Sequence, residues 1–174
     1  TMLHINKIKI LPEKTSESDI FFSRLFSELS GGAYFYNKNT YIQIICKSIL
    51  FTLKKGISQD TPFILIQFSN ILIIKFQCYK LAKRLSQIAL NLLTTSTSKY
   101  AIQTQFLYSI FIARWYEPSS LVLKNRLKNI EFCKKNNDIT FTTYSITQSI
   151  FSLFCSGSEL YKIQETIEKN NPFI

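Results

Sequence analysis

The chain has 174 residues, of which 46% are hydrophobic and 18% are charged, a composition that excludes a disordered tail and allows one domain with a substantial core. Its four glycines and four prolines are too few for a turn-rich β fold and favour long helices. The formal net charge of +10 would suit an anionic partner, although a solvated basic surface is the simpler interpretation because no dense basic run accompanies it.

The chain opens on a segment without a clear helical pattern. We expect residues 1–13 to form an extended lead-in or the boundary of a fragment, and residues 14–174 to form a single helical-repeat domain. Thr15 or Ser16 can cap the first helix, which we expect to stop at the glycine pair 31–32. Ile20, Phe21, Leu25 and Leu29 would form its buried stripe.

Apolar residues at helical spacing predict seven further helices. Their approximate ranges are 39–55, 58–74, 79–93, 99–115, 118–135, 139–155 and 158–169. The helix over 58–74 is apolar on nearly all sides and should be the most buried. Residues 94–98 read as a polar joint, and Gly56 and Gly157 as helix stops. In the helix over 139–155, the residues expected to face inward are Tyr144, Ile146, Ile150, Phe151 and Phe154.

The helices follow one another as helix–turn–helix pairs. Pro62, Ala101 and Phe141 each open the first helix of a pair, at a spacing of about 40 residues that lies near the period of two-helix solenoid repeats. A single αα-hairpin cannot bury its apolar face alone, so neighbouring pairs must stack. The predicted fold is therefore all-α, a TPR-like α-solenoid of about seven to eight helices.

The sequence contains no recognisable catalytic, cofactor or metal constellation. The only histidine, His4, lies in the lead-in, and no phosphate-binding GxxxxGK[ST] loop is present. Cys46, Cys78, Cys133 and Cys155 are widely spaced on apolar helix faces, so we expect buried free thiols in a reducing, cytoplasmic compartment. We predict no enzyme activity, no cofactor and no metal for this segment.

Two groups of residues are candidates for an interaction surface. Trp115, the only tryptophan, could anchor a partner with Arg114 beside it, although packing between neighbouring hairpins is the favoured interpretation of its ring. Lys80, Lys83 and Arg84 lie opposite the apolar face of their helix, in a basic middle part of the chain. The second group leaves open a module that binds nucleic acid or an anionic membrane.

A family resemblance rests on three segments, FLYSIFIARWYEP, LKNRLKNIEFCKKNNDITFTTYSI and LFCSGSELYKI. They resemble the TPR-like helical region of large multidomain signalling proteins, in which a serine/threonine kinase-like domain and a predicted STAND/AAA-type ATPase precede the region and a GAF domain and a histidine kinase follow it. Trp115 stands at the family's tryptophan position, where Arg114 replaces a histidine. The pair 137–138 replaces Gly-Asp, and Gly157 and Leu160 fit a later turn.

The resemblance covers roughly residues 11–163, because two upstream segments, LFSELSGGAY and SILFTLKKGISQDTPFILIQFSNIL, also look like parts of the same region. It implies a non-catalytic scaffold or regulatory segment that makes interdomain or protein–protein contacts in an ATPase- or kinase-containing signalling protein. The expected partner is a protein, either the parent's own ATPase or kinase domains or another signalling protein. Nucleic acid or an anionic membrane surface is the alternative partner.

Overall fold

The computed structural model describes residues 7–93 and 99–171 and confirms an all-α fold over these ranges. The eight α-helices of the described part are α1 (Glu17–Tyr36), α2 (Lys38–Lys55), α3 (Thr61–Phe76), α4 (Tyr79–Leu92), α5 (Lys99–Leu107), α6 (Ser119–Lys135), α7 (Ile139–Cys155) and α8 (Leu160–Asn170). Lys7–Ile10 and Ala113–Trp115 are 3₁₀ turns, and Tyr108–Ile112 is a π turn. The predicted joint 94–98 and His4 lie outside the described residues.

The chain divides into two compact units, unit 1 (Thr1–Thr104) and unit 2 (Gln105–Ile174). Within unit 1, α1 packs on α2, α2 on α3 and α3 on α4, and within unit 2, α6 packs on α7 and α7 on α8. Packing between helices adjacent in sequence is what a repeat stack requires. The single domain over 14–174 and its TPR-like stacking stay predictions.

The segment before α1 is not simply extended, which corrects the expected lead-in. Lys7–Ile10 forms a 3₁₀ turn, and Glu13 then makes an isolated parallel bridge with Ile57. The Ile57 N–H donates to the Pro12 carbonyl oxygen at 2.9 Å, and the Lys14 N–H donates to the Ile57 carbonyl oxygen at 2.8 Å. These two bonds attach the beginning of unit 1 to the turn between α2 and α3.

The glycine pair 31–32 does not end the first helix, so that prediction is wrong. Helix α1 continues to Tyr36, and Asn37 ends it with an extended φ of −154°. The Asn37 Oδ1 accepts the N–H groups of Asn39 and Thr40 at 2.9 and 3.1 Å, which caps α2. The cap fixes the turn at Asn37, because the same residue supplies the partners that the first amides of α2 lack.

Replacing Gly31 by alanine should therefore stabilise the protein by about 0.5–1 kcal/mol. Gly31 lies inside α1, and no described heavy atom would be within 4 Å of an added Cβ. The substitution removes backbone freedom from the unfolded chain without a clash in the folded one. Chemical denaturation followed by circular dichroism measures the change, and a loss of stability would show that α1 is not helical through Gly31.

Helix α1 buries the face opposite to the one we predicted. Its buried residues are Ser23, Ser27, Ser30 and Ala33. The expected apolar stripe is largely exposed, with Phe21 62% accessible and Leu25 and Leu29 also exposed. The reason is a buried carboxylate on the turn before α3, Asp60, which accepts hydrogen bonds from Ser23 and Ser27. A carboxylate removed from water needs such donors, and of the two faces of α1 only the serine stripe can supply them.

The predicted core helix is confirmed. Twelve residues of α3 are buried, from Thr61 through Ile73 with Phe68 as the exception. Pro62 occupies the first turn, where its missing N–H costs no intrahelical bond. Ser69 donates to the Leu65 carbonyl oxygen at 2.8 Å, so this polar break does not interrupt the core. Among the described residues, no helix is both long enough and apolar enough to cross a membrane.

The ends of α6 and α7 agree with the predicted stops. Asn137 (φ 56°) and Gly157 (φ 70°) both adopt left-handed backbone conformations. After α6 the Asp138 N–H donates to the Cys133 carbonyl oxygen at 3.1 Å, and after α7 the Ser158 N–H donates to the Leu153 carbonyl oxygen at 3.1 Å. These are Schellman-type ends. The next helix begins at Leu160, two residues later than the predicted start at residue 158.

Two further predictions of burial fail in part, one for the inward face of α7 and one for the four cysteine thiols. Helix α7 buries Thr142, Ser145, Ile146, Ser149 and Leu153, which confirms the prediction for Ile146, and Ile150 is half-buried. Tyr144, Phe151 and Phe154 are exposed, so the prediction is wrong for these three aromatic residues. Of the four free thiols only Cys133 is fully buried, while Cys78 and Cys155 are exposed and Cys46 is intermediate. Burial raises the pKa of the Cys133 thiol to about 11, which keeps it protonated at neutral pH.

Candidate protein-binding groove

A groove with a volume of about 680 Å³ lies between α6 and α8 in unit 2. Seven of its residues come from α6, and their spacing follows one helix face. The others come from α8 and from Leu153 of α7. The lining residues that carry the chemistry are Leu123, Lys124, Leu127, Lys128, Lys162 and Lys169. We call this surface the α6–α8 groove.

The α6–α8 groove has an apolar floor. Ile130 and Leu153 are buried, while Leu127 remains 40% exposed in the isolated chain. Helix α7 packs against both α6 and α8, so it supports the floor from below. An apolar side chain exposed on the floor of a concave surface can be covered by a ligand side chain, which gains free energy in proportion to the area buried.

Basic side chains surround this floor. Among the described residues, four lysines line the groove, Lys124 and Lys128 on α6 and Lys162 and Lys169 on α8. Only two acidic residues of the same ranges, Glu131 and Glu165, line it as well. Glu131 is 4.0 Å from the Nζ of Lys134, a lysine that is outside the lining. Lys162 lies 2.9 Å from Glu159, and the hydrogen bond to Glu159 raises the pKa of Lys162. The rim therefore carries a net positive charge at neutral pH, which favours acidic ligands.

The far end of the groove is held by a buried amide. The Lys134 Nζ donates to the Asn170 Oδ1 at 2.8 Å, and the Asn170 Nδ2 donates to the Thr166 carbonyl oxygen at 2.7 Å. Asn170 is buried although it is the last residue of α8. This contact fixes the end of α8 relative to α6, so the groove is shaped before a ligand arrives.

The residues that the sequence suggested as an interaction site belong to different units. Arg114 and Trp115 lie together on the 3₁₀ turn in unit 2, with the guanidinium carbon 5.6 Å from the indole ring centroid. Trp115 is 45% exposed, so it is not enclosed as a core residue would be. Lys80, Lys83 and Arg84 are exposed on α4 in unit 1. Neither group belongs to the α6–α8 groove.

Sequence reasoning missed the lysines of the α6–α8 groove. Lys124 and Lys128 are four residues apart and therefore share a helix face. Lys162 and Lys169 are seven residues apart, two turns of α8. The sequence contains these spacings. It does not show that α6 and α8 approach each other, because the whole of α7 separates them along the chain.

A buried arginine stabilises the same unit and is not available as a ligand group. The Arg126 Nη2 donates to the Ser109 carbonyl oxygen at 3.0 Å, and Nη1 donates to the Gln148 carbonyl oxygen at 3.3 Å and to the Ser152 hydroxyl. Burial, assisted by the charge of Arg114, lowers the pKa of Arg126. The guanidinium thus joins the π turn to α6 and α7, where the predicted continuous helix over 99–115 is interrupted.

A second buried polar network lies in unit 1. The Lys14 Nζ donates to the hydroxyls of Ser23 and Ser58 at 2.8 and 3.0 Å, and both hydroxyls donate to Asp60 at 2.7 Å. Lysine beside serine can activate a hydroxyl nucleophile. Here Lys14, Ser23 and Asp60 are all buried, and every polar group is used inside the network. We interpret it as structural.

Comparisons with protein-family models, with curated proteins and with solved structures gave no match. Among the described residues, no group of three or more His, Cys, Asp or Glu side chains could hold a metal ion.

Proposed function

We propose that this chain is a non-catalytic, helical protein-interaction segment that binds an acidic amphipathic helix or peptide in the α6–α8 groove. The observation that carries the proposal is the combination of an exposed leucine on the groove floor, Leu127, with a lysine rim on both walls. Helix-in-groove recognition uses apolar anchors at helical spacing, and complementary charge increases specificity and the association rate.

The wider context of the proposal is a scaffold or regulatory role in a cytoplasmic, multidomain ATPase or kinase signalling protein. That context depends on the sequence resemblance alone. It makes the natural ligand a segment of the parent protein's own ATPase or kinase domains, or of another signalling protein. A binding assay between this chain and the parent's ATPase domain tests the context, and no interaction at high concentration would contradict it.

The groove itself can be tested with a designed peptide whose leucines repeat at helical spacing and whose flanking positions are glutamates. Fluorescence anisotropy should detect binding of this peptide to the chain. The substitution Leu127→Glu should lower the affinity roughly tenfold or more, because the groove floor then carries a negative charge that repels the acidic peptide. The double variant Lys124→Glu, Lys128→Glu should weaken binding similarly and remove much of its salt dependence.

The matched control is Lys80→Glu, Lys83→Glu, which makes the same change of net charge on α4 of unit 1. The affinity of this control variant for the peptide should stay within about threefold of that of the unmodified chain. That limit includes the small loss of long-range attraction caused by the lower net charge. Equal weakening in both double variants would mean that the peptide follows net charge, and the groove assignment would then be rejected. A peptide with lysines in place of the glutamates should not bind.

A further inference from the structure

A separate feature of unit 1 combines exposed apolar side chains with positive charge at the turn between α3 and α4. Seven consecutive residues, 74–80, are all exposed, immediately after the fully enclosed Ile73. Ile74 is 59% and Phe76 62% accessible, and Tyr79 is exposed as well. We call residues 74–80 the α3–α4 tip. Its apolar side chains lie at the end of the most buried helix, yet outside the core.

The α3–α4 tip is held in one conformation. Gln77 has a left-handed backbone (φ 52°, ψ 26°), and its N–H donates to the Ile73 carbonyl oxygen at 3.1 Å. The Cys78 N–H donates to the Leu72 carbonyl oxygen at 3.0 Å. Only Gln77 and Cys78 separate the two helices, so the exposed side chains are presented by a short, hydrogen-bonded turn. Little ordering entropy would be lost when such a turn docks on a surface.

The charge around the α3–α4 tip is of one sign. Lys75 and Lys80 belong to the tip, and Lys83 and Arg84 follow on the exposed face of α4. The sequence has no acidic residue between Asp60 and Glu117. The α3–α4 tip thus combines positive charge with exposed apolar and aromatic side chains. This combination is complementary to a surface that is anionic on the outside and apolar beneath.

We propose that the α3–α4 tip docks on anionic lipid bilayers. Ile74 and Phe76 enter the boundary between headgroups and acyl chains, Tyr79 lies at headgroup level, and Lys75, Lys80, Lys83 and Arg84 contact the anionic headgroups. Nucleic acid would satisfy the four cations but gives no reason for an exposed aliphatic Ile74 next to Lys75. This inference is independent of the α6–α8 groove, which belongs to unit 2.

The experiment uses the full chain and vesicles of phosphatidylcholine and phosphatidylserine in a ratio of about two to one. We expect sedimentation with these vesicles and little with phosphatidylcholine alone. Lys75→Gln, Lys80→Gln should lower the partition coefficient roughly 30-fold. Ile74→Ser, Phe76→Ser should lower it roughly tenfold or more. A duplex RNA serves as the competing anionic ligand.

Matched variants place the same chemical changes elsewhere. Lys124→Gln, Lys128→Gln removes two charges from unit 2, and Leu50→Ser, Phe154→Ser removes one exposed aliphatic and one exposed phenyl group from other helices. Both should bind vesicles within about threefold of the parent chain. Equal losses in the matched and tip variants would overturn the proposal, since binding would then follow net charge or general stickiness.

Contact at the α3–α4 tip can be read directly from Cys78, which is exposed. In Cys46→Ser, Cys155→Ser an environment-sensitive thiol dye reacts with Cys78 and not with the fully buried Cys133. Anionic vesicles should shift the dye emission to the blue. Vesicle binding without that shift, or binding of duplex RNA that depends on Ile74 and Phe76 while vesicles do not bind, would reject the membrane assignment.

Discussion

Replacing Asp60 by alanine is expected to destabilise unit 1 by about 3–5 kcal/mol. Asp60 is 1% exposed, and its carboxylate accepts hydrogen bonds from Ser23, Ser27 and Ser58. Two of these serines also accept from the buried ammonium group of Lys14. Alanine would leave that charge buried without its counter-charge. Chemical denaturation, with hydrogen exchange of α1–α3 peptides to locate the effect, provides the measurement.

Asp138→Ala is the matched control for this prediction. The Asp138 Oδ1 accepts the Phe141 N–H at 3.0 Å and caps α7, so its removal should cost only about 1 kcal/mol. The double variant Lys14→Met, Asp60→Asn should be more stable than the sum of its single variants predicts, since neither charge then remains buried. Equal losses for Asp60→Ala and Asp138→Ala would contradict the buried-pair interpretation.

The pH dependence of Asp60→Asn should identify Lys14 as the group left unpaired. Burial lowers the pKa of Lys14 below 10.5 in the folded chain, and the Asp60 carboxylate opposes that shift. Between this lowered pKa and 10.5 the unfolded chain therefore binds more protons than the folded chain, and stability rises with pH. The deficit of Asp60→Asn relative to the parent should shrink as the pH rises toward 10.5, because loss of the carboxylate lowers the pKa of Lys14 further. A constant deficit would mean that Lys14 contributes nothing to it.

Replacing Gly56 by alanine is expected to destabilise the protein by about 3 kcal/mol. Gly56 has φ 101° and ψ −175°, a backbone region that only glycine occupies readily. An added Cβ would also lie 2.2 Å from the Pro12 carbonyl oxygen. That oxygen accepts the Ile57 N–H at 2.9 Å, so it cannot retreat without losing the bond. Thermal and chemical denaturation measure the loss.

Gly157→Ala separates backbone strain from the clash. Gly157 has φ 70°, but no described heavy atom would be within 4 Å of an added Cβ. Its loss should be limited to about 1 kcal/mol. If Gly56→Ala cost no more than Gly157→Ala, the close approach of Pro12 to the α2–α3 turn would not contribute to stability.

Local signals determined most helix boundaries. Gly56 ends α2, Pro62 lies in the first turn of α3, and Gly157 ends α7 in the left-handed conformation that glycine allows. The glycine pair 31–32 does not end α1, because a glycine inside a helix weakens it without stopping it. Asn37 is the true boundary, and its side chain is a recognised N-cap signal that the sequence already contained.

Periodicity identified helix faces but not the direction in which they point. In α1 the stripe through Phe21 and Leu25 and the stripe through Ser23 and Ser27 both repeat at helical spacing. Hydrophobicity favours burying the first stripe, yet the structure buries the second. In α7 the change is partial, because Ser145 and Ser149 are buried together with Ile146, which was predicted to face inward.

The sequence by itself determined that this protein is helical, where most helices begin and end, and that α3 is its most buried helix. Those properties follow from interactions between residues a few positions apart. Only the tertiary structure decided which faces are buried and where a groove forms. Asp60 selects the serine face of α1 from more than thirty residues away, and α6 meets α8 across an intervening helix. Such contacts depend on hydrogen-bond demand and on packing in space, which no local pattern encodes.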